Sequence, residues 1–233
     1  MRNGSLSYER FCMEAELLQR RSHELASRRD VEDAKCVATW EWRHGNRQHL
    51  VGNSFLVSSE NARQYHSNAE DESVKLDKEM DQEIDELLQI EEYDWTGDDQ
   101  AQTTLQTQEV EFALLEFHIV YHTIYQTPVL YFRVAAVDGM PLPSEVVTHD
   151  IKFPGSNGRS TFVAIEEHPV LGKPFSFLHP CETAAAMQLL QAQIPPDDST
   201  KTSLEVQVPR YLASWLSLVQ PLTGIPPLEY YSV

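Results

Sequence analysis

The sequence is poor in cysteine, in basic residues and in long apolar runs, and each shortage removes a class of function. Its three cysteines, Cys12, Cys36 and Cys181, are odd in number and stand at no close metal-ligand spacing. A disulfide framework or a structural zinc site is therefore not expected, and a reducing compartment fits best. Lys and Arg number 18 against 36 Asp and Glu, a formal net charge of −18. Such a chain repels phosphate backbones, so nucleic-acid binding is not expected, and a basic protein surface is the better partner. No apolar run approaches the roughly 20 residues that span a bilayer, so no transmembrane segment is expected. The first thirty residues carry charges throughout and do not read as a secretory signal. The expected location is cytoplasmic. There is no phosphate-cradling glycine loop, no His-Glu-x-x-His and no Gly-x-Ser-x-Gly, and no cofactor is expected. All nine histidines precede Cys181, whereas a papain-like protease needs its base histidine downstream of the cysteine.

What is present reads as helix, then antiparallel strands, then helices. The chain of 233 residues is long enough for one core with a long insertion. Leu6, Phe11, Leu17, Leu18 and Leu25 recur at helical spacing in the first thirty residues. Thr39 to Arg43 alternates large and polar side chains, His44 to Arg47 supplies a turn, and Leu50 to Val57 is rich in β-formers, which predicts a hairpin. The stretch Glu70–Asp99 holds fourteen acidic and two basic residues, about two thirds of the net charge. It reads as a solvated insertion within 58–109, or as a short amphipathic piece around Ile84, Leu87, Leu88 and Tyr93 that docks on a basic partner. Val110 to Tyr121 alternates with an irregularity near Leu115, and Val129 to Val137 follows Pro128, which belongs at a strand start. Asp138-Gly139 signals a turn. Thr161 to Ile165 predicts another strand. Thr183 to Gln193 predicts a helix. A last helix begins near Pro209, with Leu212, Trp215, Leu216 and Val219 as its apolar stripe, and Pro221 and Gly224 are expected to end it. The order predicts one α+β domain over 1–233, with helices packed on an antiparallel sheet.

Cys181 stands out by its context, Phe177-Leu178-His179-Pro180-Cys181-Glu182-Thr183, where a loop enters a helix. Backbone amides at a helix start favour an anion and lower a thiol pKa from its usual value of about 8.5, while Glu182 opposes this by like charge. A buried cysteine that acts as a small hydrophobe is the alternative, and the local sequence leaves both open. His179 is too near in sequence to orient freely as a base and is expected to order the loop by hydrogen bonding. His149 and His168 have no assigned role.

Several runs in order and spacing resemble the autophagy-related protein 10 family. They are Trp40-Glu41-Trp42-Arg43, Glu116-Phe117-His118-Ile119-Val120-Tyr121 and Tyr125-Gln126-Thr127-Pro128-Val129-Leu130-Tyr131-Phe132-Arg133. Gly139-Met140-Pro141-Leu142, Glu167-His168-Pro169-Val170-Leu171-Gly172-Lys173-Pro174-Phe175, Leu178-His179-Pro180-Cys181 and Ser214-Trp215-Leu216-Ser217 complete the set. The resemblance implies a reduced ubiquitin-conjugating core and places the thioester-forming cysteine at Cys181, with His179 and Pro180 as its supporting loop. It implies autophagy-related protein 7 as activating enzyme, autophagy-related protein 12 as modifier and autophagy-related protein 5 as acceptor. Tyr125, Leu130 and Phe132 are the expected partner-binding residues. The chain departs from the family between Glu145 and Thr161, where Pro-Gly-Ser-Asn-Gly replaces an expected helix, and at Gln220. A non-catalytic binding module of the same fold is the alternative reading.

Overall fold

The computed structural model describes residues 4–28, 38–46, 52–66, 110–149, 151, 163–192 and 210–231. The acidic stretch Glu70–Asp99 lies outside the described residues, as does the start of the strand expected from Thr161. By contacts the chain divides into two units, Met1–Arg63 with Phe112–Val233, and Gln64–Glu111. Within the second, the Tyr65 hydroxyl donates to the Glu111 carboxylate.

The first unit opens with helix α1, Tyr8–Arg28. Phe11, Ala15, Leu18 and Ser22 lie on one buried face at offsets of 0, 4, 7 and 11, as an amphipathic helix requires. Strands β1 (Glu41–His44), β2 (Ser54–His66), β3 (Val110–His122), β4 (Thr127–Ala136) and β5 (Pro141–Leu142) follow. A short helix, α2, spans Glu145–Thr148. Strands β6 (Val163–Glu167) and β7 (Pro174–Leu178) lead through a 3₁₀ turn, Pro180–Glu182, into α3, Thr183–Ala192. Helices α4 (Arg210–Thr223) and α5 (Leu228–Tyr231) close the chain.

The strands form one sheet in the order β1-β2-β3-β4-β7-β6, with β5 paired to β4. The pairs β1–β2, β3–β4, β4–β5, β4–β7 and β6–β7 are antiparallel, as the alternating runs predicted. Strand β2 continues to His66, through residues that composition assigns to the insertion, and it takes a positive φ of 62° at Glu60. The Asn61 amide stabilises that bend by donating to the carbonyls of Ser58 and Leu115. Strand β4 is buried on both faces from Thr127 to Phe132. It is therefore apolar at consecutive positions instead of alternating. Its even positions pair with Phe117 and Ile119 and its odd positions with His118 and Val120, which sorts the two faces of the sheet.

Helix α4 packs against α1 and β4 through Leu212, Trp215, Leu216 and Val219, all buried, as the sequence stripe predicted. Buried Glu14 fixes the start of α4: it accepts from the Leu212 amide at 2.7 Å and is bridged by Arg10 at 2.8 Å. Pro221 does not end this helix but sits in its last turn, which closes at Thr223. Arg63 donates to the Leu222 carbonyl at 2.8 Å, and Gly224, at φ 68°, caps the end through the Gln220 carbonyl at 2.7 Å. Trp40 is fully buried, with its indole N–H on the Tyr230 hydroxyl.

The segment before α1 is held from three sides. Its Leu6 amide donates to Gln126 at the β3–β4 turn, Tyr121 donates to the Leu6 carbonyl, and Tyr211 of α4 donates to the Gly4 carbonyl at 2.6 Å. Gly4 has φ 69°, and a Cβ there would stand 1.9 Å from the Ala184 carbonyl oxygen in α3. Gly4→Ala should therefore lower unfolding stability by at least about 1–2 kcal/mol through its left-handed backbone alone, and more through the collision. Urea unfolding checks this, with Gly139→Ala as control: Gly139 also has positive φ, but its absent Cβ meets nothing.

Candidate functional site

The site lies where β7 leaves the sheet. Phe177 pairs with Tyr131 of β4, and the chain then turns at His179 into the Pro180–Glu182 turn. His179 has extended backbone (φ −62°, ψ 128°), and its Nδ1 accepts from the Cys181 amide at 3.1 Å. It is thus an N-cap made by an imidazole, with its ring proton on Nε2. Pro180, at the first turn position, is buried, as suits a residue with no amide to satisfy. Cys181 is exposed and free, immediately ahead of α3. Two amides of the helix start are already taken: that of Cys181 by His179, and that of Thr183 by the Pro180 carbonyl. His179 reaches the cysteine through its backbone, not through Sγ.

Aromatic rings continue from there. The His179 ring meets Tyr125 edge-on at 6.0 Å and Phe177 at 5.8 Å, and Tyr125 meets His122 at 4.8 Å. The His122 Nδ1 accepts from the Tyr125 amide at 3.2 Å, which stiffens the β3–β4 turn. Burial holds the His122 imidazole below its usual pKa; Glu166 opposes this and His179 adds to it. The turn is completed by Gln126, whose φ is 53° and whose amide donates to the His122 carbonyl.

Of the residues expected at the site, the structure thus brings together Cys181, His179, Pro180 and Tyr125. Leu130 and Phe132 are a correction. They are 1% and 0% exposed, on the β4 face that pairs with Phe117 and Ile119, and present no side chain to a docking protein. Period-two counting had put them in a strand without telling that both faces of that strand are covered.

Sequence reasoning also passed over a buried relay on the other face of the sheet. His168 is 0% exposed, and its Nδ1 accepts from the amides of Val170 and Leu171, each at 3.2 Å. Its proton is therefore on Nε2, which donates to His118 Nδ1 at 3.1 Å, and His118 Nε2 in turn faces the Glu116 carboxylate at 3.0 Å. That contact holds the Glu116 carboxyl below the usual carboxylate range, against the effect of burial. Arg133 lies over the Phe175 ring at 3.8 Å from its centroid, and Phe55, Phe175 and Tyr131 wall the two imidazoles. The signal in the sequence was His118 at an inward position between Phe117 and Ile119, and histidine directly before Pro169.

His168 also closes its own turn: its amide donates to the Lys173 carbonyl and its carbonyl accepts from Gly172. That turn overhangs a groove of about 540 Å³ between the β1–β2 loop and the β3–β4 turn. Among the described residues no cluster of His, Cys, Asp or Glu could hold a metal ion, and no helix is long and apolar enough to cross a membrane.

Comparison with known proteins agrees with this architecture. The chain is 36% identical over 128 residues to the ubiquitin-like-conjugating enzyme ATG10 of Arabidopsis thaliana, covering 53% of this chain and 55% of that protein. It is 37% identical over 120 residues to ATG10 of Homo sapiens, covering 49% and 51%, and 32% over 117 residues to ATG10 of Dictyostelium discoideum, covering 48% and 51%. The chain thus spans about half the length of the curated relatives it matches. The profile of the autophagocytosis-associated protein active-site domain matches residues 10–230, nearly the whole chain. An exposed cysteine at a capped helix start, on an antiparallel sheet flanked by helices, is thus the setting of a chain that belongs to the autophagocytosis-associated protein, active-site domain family.

Proposed function

We propose that this chain is a ubiquitin-like-conjugating enzyme of autophagy, with Cys181 as the residue that carries the modifier. The observation that carries the reading is the exposure of Cys181 at the junction of loop and helix, on a turn pinned by His179 and buried Pro180. Thioester exchange needs a thiol that a partner's thioester can reach on a loop that does not wander, and this geometry supplies both.

The reaction is two acyl transfers. Cys181 Sγ attacks the thioester that links the modifier to its activating enzyme, and the enzyme's thiolate leaves. An acceptor amine then attacks the new thioester carbonyl, the C–S bond breaks with its pair going to Sγ, and the surplus proton of the amine passes to solvent. In this proposal the modifier is autophagy-related protein 12, the activating enzyme autophagy-related protein 7 and the acceptor a lysine of autophagy-related protein 5. The likeness to proteins named ubiquitin-like-conjugating enzyme ATG10 supports a conjugating role.

The test is capture of the intermediate. The purified chain, incubated with activating enzyme, modifier and ATP, should give a slower band on a non-reducing gel that vanishes with reductant. If no such band forms while an active ATG10 loads under the same conditions, the reading is wrong.

A further inference from the structure

The sheet ends at β6. In the strand order β6 is the last member, paired with β7 and, among the described residues, with no strand on its other side. Ala164, Ile165, Glu166 and Glu167 are all exposed. The direction of each β6 peptide group follows from the hairpin's own bonds. The His168 amide donates to the Lys173 carbonyl at 2.8 Å, so His168 turns its backbone toward β7. Direction alternates along a strand, so Glu166 and Ala164 also face β7, while Glu167, Ile165 and Val163 turn their N–H and C=O outward. Pro174 agrees: it stands opposite Glu167, has no N–H to give it, and its carbonyl accepts from Arg133 of β4 at 3.2 Å. The side chains of the three outward-facing residues share one face. Ile165 lies opposite Ser176, and Ser176 opposite Phe132, so this is the face of Phe132. Phe132 is 0% exposed and Ile165 75% exposed, so the cover over the middle of the sheet stops short of this edge.

We propose that the open edge of β6 takes an extended, basic segment of a partner protein as a further antiparallel strand. Main-chain bonds to Val163, Ile165 and Glu167 hold such a strand, and the β6 side chains choose it. Charge selects the occupant. Glu166 and Glu167 are adjacent and exposed, and adjacent strand residues project to opposite faces. Cations at two successive positions of the incoming strand therefore meet one carboxylate on each face, and an apolar residue next along meets Ile165. A second copy of this chain answers neither carboxylate. Pairing β6 with itself about Ile165 sets Glu167 against Val163 and Glu166 against Ala164, between two chains of net charge −18 each. Charge on an open edge is a usual protection against self-pairing, so the glutamates that keep two copies apart are the ones that favour a basic strand. The inference is independent of whether Cys181 carries a modifier.

Amide exchange and NMR titration of the full chain test this with the capped peptide Lys-Lys-Val-Thr-Val, and with Glu-Glu-Val-Thr-Val as control. In the free chain the amides of Val163, Ile165 and Glu167 should exchange about tenfold or more faster than those of Ala164 and Glu166, once intrinsic rates are removed. Saturating Lys-Lys-Val-Thr-Val should slow the three outward amides about tenfold and shift mainly β6 and β7 resonances, and the control peptide should do neither. Ile165→Pro removes an N–H that β7 does not use, at an edge position where proline is tolerated, and should weaken the basic peptide about tenfold. Glu167→Lys changes an exposed side chain and should weaken it about fivefold, an effect that fades in high salt. Outward amides as slow as the inward ones in the free chain would mean that the edge is already covered, and would overturn the proposal. So would equal binding of the two peptides, unchanged binding in both variants, or a dimer of the free chain that Ile165→Pro dissociates. None of these outcomes touches the conjugating function, which thioester capture decides separately.

Discussion

Cys181→Ala should abolish the reductant-sensitive adduct completely, while Cys12→Ala should leave it at wild-type level. The expectation follows from where the two thiols sit. Cys12 is half-buried on α1, its pKa raised first by burial and further by Glu16, although the Tyr8 hydroxyl opposes this. A thiol held in its protonated form is a poor nucleophile, and it lies on a helix flank without a pinned approach. Cys181 is exposed on the capped turn. Its side chain makes no contribution to the core, so alanine removes the nucleophile without a packing cost, and thermal unfolding should be unchanged. Serine at the same position converts the labile thioester into an oxygen ester. A band that survives reductant in Cys181→Ser, under conditions where wild type loses its band, identifies the attacked atom directly. An adduct that persists in Cys181→Ala would move the chemistry to another residue.

How far the sequence reached this site depends on what kind of information each residue carries. Local patterns found what is local. The Pro180-Cys181 junction marks a helix start because proline suits that position, and the α4 stripe follows from its period. Asp138-Gly139 marks the turn that the structure places there, with Gly139 at φ 86° and Met140 N–H on the Asp138 carboxylate. Pro221 misleads because it costs the helix one amide bond, the one to the Ser217 carbonyl, but so near the end that only two residues follow it, while Arg63 and Gly224 satisfy the carbonyls of Leu222 and Gln220. Strand β7 was not foreseen. It is five residues between Pro174 and His179 and pairs with β4 at only two positions, so its evidence is tertiary. Leu130 and Phe132 mislead for the same reason: burial of both faces of β4 depends on β7, α4 and the turn bearing Val170, which are distant in sequence. Tyr125 joins the site only because the β3–β4 turn folds back against His179, fifty-four residues later.

His168 is the residue with the largest consequence that no local pattern assigned, and its burial should make the stability of the chain sensitive to acid. Burial, followed by the neighbouring His118 and Arg133, pushes its pKa down to about 3, with Glu116 working in the opposite sense. In the unfolded chain the same imidazole has a pKa of about 6.5. Between those values the unfolded state holds a proton that the folded state refuses, so stability must fall as pH falls through that window. The loss is about 1.4 kcal/mol per pH unit below about 6.5, levelling off near pH 3. Glu116, whose carboxyl is also depressed in the folded state, adds loss in the same direction once pH drops through the carboxylate range. Urea unfolding at pH 7 and pH 5 should show wild type losing about 2 kcal/mol to this histidine. His168→Asn keeps an acceptor for the Val170 and Leu171 amides but has no proton to take up. It should be less stable at pH 7 by about 1–2 kcal/mol, through the bond to His118 that it lacks, and markedly flatter between pH 7 and pH 5. Curves that run parallel for the two proteins would exclude His168 as the group responsible. The same imidazole anchors the turn bearing Val170 and Leu171, so the acid loss should appear first as opening of that groove wall. Protection factors at Val170 and Leu171, which remove the intrinsic slowing of amide exchange in acid, should therefore fall on acidification ahead of those of the amides in β3 and β4.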